Sequence, residues 1–333
     1  MNALILVAWG LPVALGLSMP GMRGTFSFPV ISYFSAAERV AQRQSEDDSI
    51  AAPGATSILM THGAKTPRAY VLLHGFTDSP KQFEELGNRL FATGDNVYIP
   101  RLPHHSDRAW GVRELGNVRA TELIAFGDSS VDIASGLGDS VIVVGLSAGG
   151  NIAASIAQNR SEVARAVIIA PAINAGRLSG SVARKLGFFA SLLPDVVRAA
   201  KPDSLRPDYV QGISTRGLGQ VLQLGDRVRA NAERSPAQAK QIAFLLNEND
   251  RTVSDDASIE VARNWETGPS LVSVYQFPRE LKLPHNTLEL TEKGGNLELV
   301  LPVIEALARG VRPPMTANYV FLFSDWLRPR STK

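Results

Sequence analysis

The 333-residue sequence predicts an α/β fold: a mainly parallel, doubly wound sheet covered by helices, with a helical cap inserted between two core strands. Three observations predict it. From residue 56 onward, short apolar runs of strand length alternate with segments whose apolar residues recur every three or four positions. Residues 172–238 break that alternation, with helical stretches at 182–193 and 218–232 and no convincing strand. Finally, Gly145-Leu146-Ser147-Ala148-Gly149 stands between an apolar run at 141–144 and a helix-like run at 150–157.

The elements follow in chain order. Residues 57–61 form a short strand and 69–74 a buried one, Ala-Tyr-Val-Leu-Leu-His. Residues 80–92 are helical, with Phe83, Leu86 and Leu90 on one face. A strand at 96–100, a helix at 119–135 and the strand at 141–144 lead to the glycine-flanked serine. Beyond it come a strand at 164–169, the cap, a strand at 241–246, a helix at 254–265, a strand at 271–277 and a helix at 297–307. In the cap, Phe188, Phe189, Leu192 and Leu193 form an apolar cluster that serves either as the cap's own core or as an acyl pocket. Strands separated by helices connect through right-handed crossovers and pair in parallel.

The ends of the chain differ from the middle. Residues 1–22 carry no charged side chain and read as a membrane anchor or uncleaved signal, a cleaved signal, or a segment packed on the domain. Residues 23–54 are rich in Gly, Pro, Ser and charges and read as a linker with one short helix near 36–44. The main domain spans 55–310 with its cap at about 172–238, and 311–333 form a tail with an apolar patch at 319–323. The location expected from the N-terminal segment is membrane-associated or exported, with a cytoplasmic one left open.

Composition narrows the function. Apolar residues make up 44% of the chain and charged ones 20%, enough for a sizeable core. Thirty-four basic residues nearly balance 32 acidic ones, which leaves no electrostatic footprint for nucleic acid. Cysteine is absent, so disulfides, thiolate nucleophiles and Cys-ligated metals are excluded.

The chemistry centres on Ser147. A serine hydroxyl is a weak nucleophile until a base takes its proton. Of the five histidines, His285 follows the last strand, on the edge where reactive groups of such sheets gather. His74 belongs to a loop that it orients, and His104-His105 sits in the loop after the next strand. His104, His105 and Asp107 are chemically able to ligate a metal, but neighbouring histidines point apart in extended chain and no further His or Cys ligand is evident. The base needs an acid to hold its ring. Asp250, just past the strand at 241–246, is the choice, with Glu248, Asp255 and Asp256 as rivals; Asp255 and Asp256 are also explained as helix-start residues. An oxyanion needs two backbone N–H donors, and these are expected from Ala148, after the nucleophile, and Phe76, after Gly75.

Together, His74-Gly75-Phe76-Thr77, Gly145-Leu146-Ser147-Ala148-Gly149-Gly150, Asp250 and His285 resemble the α/β-hydrolase superfamily, and within it the carboxylesterase and monoacylglycerol-lipase-like group with a helical cap. The similarity covers roughly residues 55–310. It implies the α/β-hydrolase fold, a Ser147–His285–Asp250 triad and an oxyanion hole from Phe76 and Ala148. The chain departs from that group where a Gly-His-Gly element often follows the strand at 96–100; here it reads Arg101-Leu102-Pro103-His104-His105-Ser106-Asp107. The expected activity is hydrolysis of a small-molecule ester, of short or medium acyl chain or lipid-like, through an acyl-enzyme, with no cofactor and no metal. The alternatives are cleavage of another acyl or carbon–carbon bond on the same fold, or non-catalytic binding of a small ligand.

Overall fold

A computed structural model describes residues 31–174, 194–199, 208–210, 212–289, 294–314 and 320–323. Its core is an eight-stranded sheet. With strands numbered along the chain, these are β1 (Ile58–Met60), β2 (Thr66–Leu73), β3 (Asn96–Ile99), β4 (Gly138–Leu146), β5 (Val163–Ile169), β8 (Gln241–Asn247), β9 (Leu271–Phe277) and β10 (Val320–Phe323), arranged β1-β3-β2-β4-β5-β8-β9-β10. The strands from β3 to β9 pair in parallel, while β1 and β10 run antiparallel at the two edges. Val71, Leu72, Leu73, Val143, Val144, Val167, Ile168 and Phe244 are inaccessible to solvent, as expected of strands covered on both faces.

Four helices follow the strands: α2 (Glu84–Phe91), α3 (Ala120–Leu137), α4 (Ala148–Asn159) and, after β8, α6 (Asp255–Glu266); α5 (Thr215–Ala232) lies in the cap region and α7 (Leu297–Arg309) near the end. The parallel register aligns the carboxyl ends Leu73 and Gly145, Leu146 and Ile169, and Asn247 and Phe277 along one edge. After β2 the chain moves to one side, to β3, and then returns to the other, to β4. The loops leaving β2 and β4 therefore flank a topological switch point, where open α/β sheets bind ligands.

Three expectations need correction. Residues 33–50, expected to be mostly linker, form an 18-residue helix, α1 (Tyr33–Ile50), with Ser32 accepting the N–H of Ser35 at its start. Its buried stripe is Ala36, Val40 and Asp47, two small apolar groups and a charge, so its hydrophobic periodicity is weak. Asp47 accepts Arg101 Nε at 2.8 Å and the Ser57 hydroxyl at 2.6 Å, and Arg101 Nη1 reaches the His105 carbonyl at 2.5 Å. The supposed linker thus holds the loop that departs from the superfamily pattern. Second, the cap region contains two strands, β6 (Val197–Ala199) and β7 (Gly212–Ser214), paired antiparallel. At three residues each they are too short to carry a readable period. Third, part of the expected tail, Val320–Phe323, pairs with β9 as β10.

The cap helix expected at 182–193, with Phe188, Phe189, Leu192 and Leu193, lies outside the described residues, as do residues 1–22. Among the described residues no helix is long and apolar enough to cross a membrane.

Candidate active site

Ser147 sits in the turn between β4 and α4 with φ 56° and ψ −109°, outside the regions open to L-residues without strain. Such a conformation costs about 1–3 kcal/mol and persists only where its surroundings enforce it. Here the Ser147 N–H donates to the Ile169 carbonyl at 2.9 Å, and the Ser147 carbonyl accepts from Ala172 at 3.3 Å and Asn151 at 3.0 Å. A side chain on Gly145 would run into the Gly149 carbonyl, and one on Gly149 into the Leu73 carbonyl. Both glycines are required because the turn packs backbone on backbone.

The strain redirects the serine hydroxyl. It makes no cap to its own helix, and Ser147 Oγ lies 3.0 Å from His285 Nε2. His285 Nδ1 lies 2.6 Å from Asp250 Oδ2. A carboxylate only accepts, so the Nδ1 proton faces Asp250 and the Nε2 lone pair faces the serine hydroxyl. The Asp250 side chain is fully buried, and its second oxygen accepts the Thr252 N–H at 2.7 Å and the Val253 N–H at 3.3 Å. Sequence-distant Ser147, His285 and Asp250 thus form one hydrogen-bonded chain at the carboxyl edge of the sheet.

The rival acids stand elsewhere. Glu248 accepts the Arg279 N–H at 3.3 Å, and Asp256 is exposed in the first turn of α6. Asp255 accepts Gln276 Nε2 at 2.6 Å. Burial pushes the Asp255 carboxyl up to about 6, against the opposing pull of that hydrogen bond, and the negative charge of Asp250 adds to the rise.

The loop after β2, which carries Phe76, starts against the first turn of α4, where the Leu73 and His74 carbonyls face Gly149. Ala148 is the first residue of α4, where N–H groups have no partner within the helix. His74 is inaccessible to solvent and bonds to backbone at both ring nitrogens: Nδ1 with the Gly75 carbonyl at 2.9 Å, and Nε2 with the Leu102 N–H at 3.0 Å. Burial holds its pKa well below the ordinary histidine value. His74 thereby ties the Gly75 loop to the loop after β3.

His104 and His105 diverge. His104 has φ 65° and places its ring nitrogens 2.7 Å from Glu114 and 3.1 Å from Glu122, joining a 3₁₀ segment, Gly111–Asn117, to the start of α3. His105 is buried, with Nδ1 2.8 Å from the Pro103 carbonyl and its ring edge-on to His74 and Phe76. Burial pushes its pKa down to about 4. Among the described residues no cluster of His, Asp and Glu has the arrangement of a metal site.

Sequence reasoning missed the polar residues that brace the site. Asn151 on α4 donates to the Ala172 and Val221 carbonyls, both at 2.9 Å, which anchors the serine-bearing helix to α5. Gln82, Asp78 and Asn286 join the Gly75 loop to the residue after His285. No sequence periodicity marks such residues, because their partners are set by tertiary contact alone.

No curated protein matches the chain at a significant level. In fold the chain is similar to a structure from the metagenome-derived lipolytic enzymes LipS and LipT, with 17% identity and TM-score 0.60 over 78% of this chain and 99% of that one. It is also similar to Est1E from Butyrivibrio proteoclasticus with ferulic acid bound (14% identity, TM-score 0.53, 77% of this chain and 93% of that one). A third such structure is the monoacylglycerol lipase of Paleococcus ferrophilus (18% identity, TM-score 0.51, 66% and 88%). The sequence model of the Alpha/beta hydrolase family matches residues 70–293, from β2 past His285, and the chain belongs to that family.

Proposed function

We propose that this protein is a serine hydrolase that cleaves carboxylic esters through an acyl-enzyme intermediate. The observation that carries the reading is the Ser147–His285–Asp250 hydrogen-bonded chain, at 3.0 Å and 2.6 Å, with the serine hydroxyl withheld from its own helix. An ordinary N-cap serine has no use for a strained backbone, a histidine and a buried carboxylate.

In the proposed cycle, Ser147 Oγ attacks the ester carbonyl carbon while its proton passes to His285 Nε2. The carbonyl oxygen becomes an oxyanion that accepts from the N–H groups of Phe76 and Ala148. Asp250 holds the ring and offsets the positive charge formed on it. The carbon–oxygen bond to the alcohol then breaks, and the alcohol departs with the proton from Nε2. Water gives a proton to Nε2 and attacks the acyl carbon; Ser147 leaves and regains that proton, releasing the acid. Ester and water enter, acid and alcohol leave, and the side chains return to their starting state.

Support for an ester comes from the fold neighbours, which are a lipolytic enzyme, a monoacylglycerol lipase and a protein holding ferulic acid. A short- to medium-chain or lipid-like acyl group is the substrate class proposed, on the apolar sequence of the cap, and membrane association through residues 1–22 is proposed on their lack of charge. The reading is tested by hydrolysis of p-nitrophenyl esters of graded acyl length together with fluorophosphonate labelling. Wild type is expected to turn over and to label, and Ser147→Ala to do neither. Undiminished turnover in Ser147→Ala would refute the mechanism.

A further inference from the structure

The proposed oxyanion donor and the proposed base lie on loops that leave different strands. Phe76 follows β2 and His285 follows β9, and β4, β5 and β8 stand between those strands in the sheet. Sheet register places the strand ends and does not set the orientation of loops beyond them. Acyl transfer needs both groups aligned on one carbonyl, and a misplacement of about 1 Å costs on the order of a hundredfold.

One side chain spans the gap. Gln82, in the 3₁₀ segment Pro80–Phe83, accepts the Gly75 N–H at Oε1, 2.8 Å away. Its Nε2 donates to Asp78 Oδ2 at 2.7 Å and to Asn286 Oδ1 at 2.9 Å. Asn286 Nδ2 completes the triangle by donating to the same Asp78 oxygen at 3.1 Å. Asp78 Oδ1 accepts the Ser79 N–H at 2.9 Å, and the Asp78 N–H donates back to the Gly75 carbonyl at 3.2 Å. The orientation of each amide is set by its partners, since turning either one would face nitrogen to nitrogen donors or oxygen to a carboxylate. Gln82 is 8% exposed and Asp78 1%, so water competes weakly for these bonds. Gly75 immediately precedes Phe76, and Asn286 immediately follows His285.

We infer that Gln82, with Asp78 and Asn286, is a positioning residue that sets the Phe76 N–H and the His285 ring relative to one another; this rests on the roles proposed for Phe76 and His285. None of the three side chains is assigned a contact with substrate, so the network acts on the alignment of the transition state. Its loss therefore lowers kcat and leaves KM nearly unchanged. Because the triangle works as a unit, its members are also non-additive.

The test compares wild type, Ser147→Ala, Asn286→Ala, Gln82→Glu and the Asn286→Ala/Gln82→Glu double variant. Each is assayed for p-nitrophenyl ester turnover and fluorophosphonate labelling rate, with thermal melts to verify folding. Gln82→Glu keeps an acceptor for Gly75 but removes both donors and sets a second carboxylate beside Asp78. Each single variant is expected to lose about tenfold in kcat and in labelling rate with KM within about twofold, and the double variant to be within about threefold of the worse single. Folded single variants with wild-type kcat, losses confined to KM, or losses that multiply in the double variant would overturn the inference. If Gln82→Glu does not fold, Asn286→Ala decides, because Asn286 is only partly buried and its truncation opens to solvent. Turnover surviving in Ser147→Ala, or absent in wild type, would instead indict the underlying reading.

Discussion

Two serines of this molecule occupy the same position in the fold and do opposite things. Ser147 follows β4 and Ser254 follows β8, and each stands immediately before the helix that begins the next crossover. Ser254 has extended dihedrals, φ −101° and ψ 114°, and its hydroxyl accepts the Ala257 N–H, with Asp255 and Asp256 filling the first turn. Ser147 has φ 56°, makes no cap bond, and begins a helix with no acidic residue in its first turn. A relaxed serine gives its oxygen to its own helix. A strained one turns its hydroxyl to His285 and makes no cap to α4. Backbone strain of about 1–3 kcal/mol and a forgone cap bond of about 1 kcal/mol separate the proposed nucleophile from the cap.

That contrast can be broken in several places. The largest effect is expected on activity: Ser147→Ala should lower ester turnover by a thousandfold or more, on the order seen when a nucleophile is removed, whereas Ser254→Ala should leave kcat within about twofold. The carboxylates divide in the same way. Asp250→Asn should reduce kcat by about a thousandfold or more by presenting the wrong hydrogen-bonding group to Nδ1, while Asp255→Asn should retain turnover in the same assay.

Stability should show the next effects. Gly149→Ala forces a side chain into the Leu73 carbonyl and should cost about 3 kcal/mol or more, read by urea denaturation. Asp255→Asn should act with a defined pH dependence. The Asp255 carboxyl is raised from 3.8 to about 6 in the folded protein, so folding is favoured while it is protonated, and stability falls as pH rises through that window. The Asn variant lacks this loss and should be more stable than wild type at pH 8, by about 2 kcal/mol, with the gap closing toward pH 4. Equal denaturation midpoints across that range would show that Asp255 is not buried as described. The smallest effect is Ser254→Ala, where loss of a cap should cost about 1 kcal/mol in the same unfolding assay.

Much of this contrast is legible in the chain. Gly145 and Gly149 around a serine, between a strand and a helix, already separate Ser147 from Ser254, which precedes two acidic residues as a helix cap does. His285 and Asp250 are legible because each follows a strand, and parallel strands deliver their carboxyl ends to one edge. The supporting residues are less so. Only part of helix α1, near 36–44, is legible in the chain, because a buried ion pair, Asp47 with Arg101, replaces the apolar residue that would have completed its stripe. Strands β6 and β7 are too short for periodicity, and β10 belongs to the sheet only through its pairing with β9.

The sequence by itself determined the alternation of the core strands and helices, the turn that carries Ser147, and the histidine that meets it. Those depend on local conformation and on the single direction of parallel strands, both written in near-neighbour patterns. Tertiary structure alone decided which carboxylate faces His285 and which is pushed up to about 6 by burial. It also decided which helix braces the loop after β3, and that Gln82 spans from Gly75 to Asn286. These are contacts between side chains far apart in the chain, and hydrogen-bond geometry and burial select among chemically equivalent residues only once the backbone has closed around them.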